Sequence, residues 1–170
     1  MHHTQALGGE PMAEHVWSLL CDKVLIDPTS DNVSLIDITE RLTLHVSEEG
    51  SIERQVTEAR ADGDKGILIP TALYLVSSWV RSDLTKPEEA RFRYTLLNPA
   101  GDRVHEEAYG VDLRGFASQR VFIRFRQVPV SALGQHWILI EQEEQQKKHT
   151  RWRVVARLPL DLAESTELQP

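Results

Sequence analysis

The side chains able to do chemistry in this chain are few and scattered. Cys21, in the run SLLCDK, is the single cysteine. It would serve as a nucleophile if a histidine and an aspartate met it in space. Its apolar, strand-like surroundings point instead to an inert core thiol. His15, His45, His105, His136 and His149 are spread along the chain, and no His-x-x-x-His or Cys-x-x-Cys pair occurs, so no metal site is expected. G-x-S-x-G, P-loop and G-x-G-x-x-G motifs are also missing. Asp22, Asp27 and Asp31 lie around the first turn, CDKVLIDPTSD. Clustered loop carboxylates on a sandwich can bind calcium, whereas Asp and Asn in such a turn more simply fix its backbone. No catalytic residue, metal ligand or cofactor is expected, and the chain is read as a non-enzyme.

The arginines form the most conspicuous pattern. RFRYTL begins at Arg91, RFRQVP at Arg124 and RWRVVA at Arg151, each an Arg-aromatic-Arg triplet. Unpaired arginines beside exposed rings would suit single-stranded nucleic acid. Side chains along a strand alternate between faces, which gives the same pattern a plainer origin. Phe92, Tyr94 and Leu96 then oppose Arg91, Arg93 and Thr95. Val121, Ile123 and Phe125 oppose Phe122, Arg124 and Arg126, and Trp152, Val154 and Ala156 oppose Arg151, Arg153 and Val155. A hairpin with QKK (146–148) at its tip pairs Glu143 with Arg151, Glu141 with Arg153, Ile140 with Val154 and Ile138 with Ala156. The turn NPAGD sets Arg93 opposite Glu106 or Glu107. Cross-strand pairs of opposite charge then occupy at least three arginines. Arg124 and Arg126 have no obvious partner and are the candidates for a basic patch. Trp17, Trp79, Trp137 and Trp152 could build a sugar-stacking platform, but this register puts Trp137 on the Glu141 side and Trp152 on the core side. Buried anchoring is the expectation for them.

The elements that must carry these residues read as strands. HVWSLLCDKVLID (15–27) is apolar and ends at a Pro/Ser/Asp/Asn turn. VSLIDITERLTLHV (33–46), ILIPTALYLVSSWV (67–80), RFRYTLL (91–97), RVHEEAYGVDL (103–113), QRVFIRFRQV (119–128), QHWILIEQEEQ (135–145) and TRWRVVARL (150–158) follow, most separated by turn residues. In 33–46, Ile36 and Ile38 are expected to share a face with Leu42, Leu44 and Val46. The polar segment 47–66 is either a short helix capped by Ser51, with Ile52, Val56 and Ala59 on one side, or a mobile loop. Residues 1–12 read as a flexible lead, 13–162 as one domain and 163–170 as a frayed tail.

A chain of 170 residues can bury a core without disulfides or metals. Its net charge of −7 and pI of about 5.5 argue against bulk affinity for nucleic acid. No apolar run is long enough to span a bilayer and no signal peptide is evident, so a cytoplasmic protein is expected. The runs LLCDKVLIDPTSDNVSLIDITERL, IPTALYLVSSWV, YTLLNPAGDRV and VPVSALGQHWILIE, closed by a hairpin, occur in an order that resembles a family of small bacterial Ig-like β-sandwich proteins, a domain of unknown function. That resemblance spans roughly residues 16–160 and implies an antiparallel sandwich of about seven to nine strands. The resulting expectation is a non-catalytic module that binds a protein partner through an edge strand or the 47–66 segment. The alternative is a calcium- or carbohydrate-binding sandwich.

Overall fold

The computed structural model describes residues 13–45, 51–61, 66–146 and 149–165. The expected lead, 1–12, lies outside them. The chain forms eleven strands and one helix: β1 (Glu14–Ile26), β2 (Val33–Ile38), β3 (Arg41–His45), α1 (Ile52–Ala61), β4 (Ile67–Pro70), β5 (Tyr74–Val80), β6 (Glu89–Leu97), β7 (Arg103–Asp112), β8 (Ser118–Arg124), β9 (Gln127–Val130), β10 (Gly134–Gln146) and β11 (His149–Ser165). The expected β-rich fold is present. The strand number exceeds nine because three expected strands are each broken in two. Every break is a change of sheet. The 33–46 run breaks after Ile38, next to Asp37 with its left-handed φ of 55°, so Ile36 and Ile38 do not share a face with Leu42 and Leu44; Val46 lies outside the described residues. The 67–80 run breaks after Pro70, which has no N–H to continue a ladder. The 119–128 run breaks at Phe125 and Arg126.

Sheet A has the order β2-β1-β5-β8, and sheet B the order β3-β11-β10-β6-β7. A two-stranded sheet joins β4 to β9. All pairs are antiparallel except β3 with β11, where Ala163 lies beside Thr43 and Ser165 beside His45. β11 therefore continues past the point where the sequence suggested a frayed tail. The sheets share one core. Leu20, Leu75, Trp79 and Ile123 of sheet A meet Phe92, Tyr94, Leu96, Ile138, Ile140 and Leu160 of sheet B. The Trp79 and Phe92 rings touch across the layers at 5.1 Å. Each such side chain, fully buried, contributes about 1.5–3 kcal/mol.

Of the two expectations for 47–66, the helix is the one found. The Ser51 hydroxyl accepts the Arg54 N–H at 3.2 Å, an N-terminal cap. Ile52 and Val56 are buried in the core, and the Ile52 N–H donates to the Glu164 carboxylate at 3.2 Å. The inward side of α1 is thus part of the core, and only its outer side is available to a partner.

The β10–β11 register differs from the sequence expectation in two ways. Gln146 pairs directly with His149, so the tip has two residues rather than three. A β-bulge then shifts the register between Ile140 and Glu141. Glu141 faces Val154, Glu143 faces Trp152 and Glu144 faces Arg151, while Ile140 faces Ala156 and Ile138 faces Leu158. Val155 and Ala156, adjacent in sequence, both pack against the core, the mark of one extra residue in β11. Arg93 lies opposite Ala108, not Glu106 or Glu107.

Gly66 opens β4 with φ 144° beside β9, where an added Cβ would run into the Val130 carbonyl oxygen. Gly66→Ala is expected to lower stability by about 1–3 kcal/mol. Gly110→Ala, with nothing within 4 Å of the new methyl, should change it by less than about 0.5 kcal/mol. Urea unfolding midpoints of the two variants check this contrast.

Candidate functional site

Two solvent-facing sheet surfaces collect the residues that the sequence singled out. On the outer face of sheet B, Glu141 accepts two hydrogen bonds from the Arg93 guanidinium, at 2.9 and 3.0 Å, and one from the Thr95 hydroxyl at 2.7 Å. The Glu141 side chain is 8% exposed and that of Arg93 is 17% exposed. Burial pushes the Glu141 carboxyl up, but the Arg93 and Thr95 hydrogen bonds outweigh it and hold the group below its usual range. Arg93 also reaches Glu106 diagonally at 3.4 Å and lies 4.6 Å from the centre of the Trp152 ring. Arg91 pairs with Glu143 at 3.4 Å, and Arg153 pairs with Glu144. Three of the six arginines in the triplets are therefore held by carboxylates, as the strand reading required. The partner of Arg153 is Glu144 because Glu141 is on the other face.

The bulge also relocates a tryptophan. Strand alternation puts Trp137, Glu141 and Glu143 on the outer face, and the pairing of Trp152 with Glu143 brings Trp152 there too. The two tryptophans share a face, contrary to the expected register. Each has a guanidinium over one side of its ring, Arg93 on Trp152 and Arg157 on Trp137 at 3.8 Å. Trp79 is wholly buried, as anchoring requires, whereas Trp17 lies half-buried on the other sheet.

The outer face of sheet A has a different chemistry. Registers put Trp17, Leu19 and Cys21 of β1 beside Ser78, Val76 and Tyr74 of β5, and these beside Arg120, Phe122 and Arg124 of β8. Ile38 and Ile36 of β2 flank Cys21 and Lys23. Cys21 and Val76 are fully buried between larger neighbours. Ile38 is 64% exposed, and Trp17, Leu19, Ile36, Tyr74 and Phe122 are half-buried. Arg124 sits 5.8 Å from the Tyr74 ring centre. Among the described residues, Lys23, Arg120, Arg124 and Arg126 make no ion pair. Sequence reasoning picked out Arg124 and Arg126 and missed the apolar surface beside them. Its signal was present in part: in β1 and β5 both alternation phases are apolar, whereas the outer phase of β8 carries Phe122 between Arg120 and Arg124.

The remaining candidates are structural. Asp27 organises its turn, accepting the Thr29 N–H at 2.9 Å and the Ser30 hydroxyl at 2.5 Å. Asp31 follows with φ 56°. Among the described residues no group of three His, Cys, Asp or Glu side chains could hold a metal, and Asp22, Asp27 and Asp31 do not converge. Burial pushes the Cys21 thiol up, away from the thiolate a nucleophile needs. Cys21 is buried as expected, but on the outer face of sheet A. His15 bonds the Ser18 hydroxyl, which donates to Ser77, both at 2.8 Å. This Ser-Ser-His chain lies against the buried Trp79, its histidine ring edge-on at 5.1 Å. Glu88 is buried and accepts the Ser82 N–H, the Ser82 hydroxyl and the Asp83 N–H at 2.7–2.8 Å, fixing the loop between β5 and β6. His136 is wholly buried; its Nδ1 bonds the Gly134 carbonyl at 2.9 Å and its Nε2 has no partner.

Glu141→Gln is expected to cost about 3 kcal/mol, because it leaves Arg93 without its buried counter-charge. Glu143→Gln, at an exposed pair, should cost under about 1 kcal/mol. Chemical denaturation of both variants measures the difference. Burial lowers the His136 and His15 imidazoles below the ordinary 6.5, so each favours the folded state while neutral. Their contribution is complete above pH 6.5 and is lost as the pH falls from there toward the depressed folded values. Stability should therefore decline between neutral pH and about 5, before most carboxylates titrate, and His136→Leu should flatten that decline. Unfolding midpoints measured across this range decide it.

No protein-family model matches the chain, and no curated protein matches it.

Proposed function

We propose that this chain is a non-catalytic interaction module of the bacterial cytoplasm, on an Ig-like sandwich plan. It would present the outer face of sheet A to an apolar protein surface with an acidic rim. The observation that carries this reading is the apolar outer face of β2, β1 and β5, continued by Phe122 of β8 and bordered by Lys23, Arg120 and Arg124, which make no ion pair among the described residues. Interface centres are depleted in charge and enriched in aromatic residues and arginine. Trp17, Tyr74 and Phe122 beside Arg120 and Arg124 have that composition. The cations are local exceptions in a chain of net charge −7, so an acidic rim on the partner complements them.

A protein partner is favoured over nucleic acid because the centre of the patch is aliphatic. Ile36, Ile38 and Leu19 offer nothing on which a base can stack. The free edges of β2 and β8 border the same face, so an added strand from the partner would extend this contact. Among the described residues no helix is long and apolar enough to cross a membrane.

Capture from the native host lysate tests the reading. Wild type and Arg91→Glu, a change on the other sheet, should retain the same acidic partner, more weakly as salt rises. Phe122→Asp and Arg124→Glu should each reduce capture about tenfold or more. Equal capture by all four proteins, or loss of the complex on nuclease treatment, overturns the reading.

A further inference from the structure

Beside the core, the described residues leave a large opening in the packing. Protein interiors rarely hold voids larger than a water molecule. Here a cavity of about 400 Å³ opens between sheet B and the β4–β9 pair. Leu96, Ile138 and Leu160 form its floor, with Leu73, Tyr94 and Phe125 around them. The Tyr94 and Phe125 rings meet edge-on at 5.1 Å and make a rigid corner. The opposite wall is held off by the backbone. The Thr71 N–H bonds the Arg126 carbonyl at 3.0 Å, and the Phe125 N–H bonds the Leu73 carbonyl at 2.8 Å. Gly66 brings β4 against β9 more closely than any side chain at that position would permit. β4 and β9 are therefore tied in place over the cavity and do not collapse into it.

The mouth selects a chemistry. Leu68, 61% exposed, and Pro129 make its apolar lip, while His105 and Gln127 are the two side chains there with free hydrogen-bonding groups. Among the described residues no Lys, Arg, Asp or Glu lines the cavity. The charge placed beside it is negative: Glu107 shares a face of β7 with His105 and accepts the Tyr94 hydroxyl at 3.4 Å. A carboxylate or sulfonate entering here would lose its hydration and find no cation in return.

We infer that this cavity is a binding site for a small, uncharged, largely apolar molecule whose one polar group is read by His105 and Gln127. Its volume lies at the small end of ligand pockets, which span about 300–1,000 Å³. This site is separate from the outer face of sheet A, so either reading can fail without the other.

The probe is N-phenylnaphthylamine, neutral and fluorescent in apolar surroundings, compared with its sulfonated analogue on the same ring skeleton. The full chain should bind the neutral probe saturably at one site. The sulfonated analogue should bind about tenfold more weakly or worse, a modest difference in binding free energy. Leu68→Trp and Gln127→Trp, each at an exposed mouth position, should each weaken the neutral probe about tenfold while leaving the melting temperature unchanged. Absence of saturable binding, an equal affinity for the sulfonated analogue, or binding that survives both substitutions in folded protein overturns the inference. The last result would put the probe on the outer face of sheet A instead.

Discussion

One extra residue in β11 sets the arrangement of the longest strand pair. β10 and β11 together span 134–146 and 149–165, and every other strand of sheet B is built outward from them. A ribbon of that length in simple alternation would keep one face dry from end to end. The bulge beside Ile140 changes the phase part-way along. On the chain-terminal side, Ala156, Leu158, Leu160 and Leu162 point into the core. On the tip side, Trp152 and Val154 turn outward beside Glu141 and Glu143. The surplus residue is absorbed by letting Val155 and Ala156 both face the core. Without the bulge, Trp152 would be driven between the sheets and the stack over Arg93 would not form.

That stack explains how a carboxylate comes to be nearly buried on an outer sheet face. Two guanidinium hydrogen bonds and a hydroxyl satisfy Glu141, and the indole covers the guanidinium. Glu88 follows the same rule by other means, since two backbone N–H groups and a serine surround it. Buried charge is tolerated in both places because each oxygen has a donor. The exceptions are the Trp79 indole nitrogen, the Arg81 Nε and the His136 Nε2, which have no partner. His136 can stay in the core only as the neutral imidazole.

Sheet A differs because two of its strands are apolar on both sides. A sheet with one buried face needs only one apolar phase. β1 and β5 have two, and their second phase lies beside Arg120, Phe122 and Arg124 of β8. The two sheets thus divide the arginines by role. Arg91, Arg93 and Arg153 of sheet B are held by neighbouring glutamates, whereas Arg120 and Arg124 of β8 make no ion pair among the described residues.

Sequence alone fixed what depends on neighbours along the chain. Alternation identified Phe92, Tyr94 and Leu96 as core and their arginines as solvent-facing; Ser51 with Ile52 and Val56 made a helix one of two readings of 47–66; Asp27, Pro28 and Asp31 marked the first turn as backbone chemistry. What it could not fix depends on partners remote in the chain. The bulge follows from how β10 and β11 fit the curvature of the whole sheet, so the partners of Arg153 and the face of Trp152 were misread. The sheet changes after Ile38, Pro70 and Arg124 leave little trace in hydropathy, because the chain stays extended and apolar through each of them. The inter-sheet cavity is a property of how sheet B meets the β4–β9 pair, and its walls come from residues 68 to 160. Local periodicity determines which side of a strand is apolar, but only tertiary packing decides whether that side meets another sheet, a void or solvent.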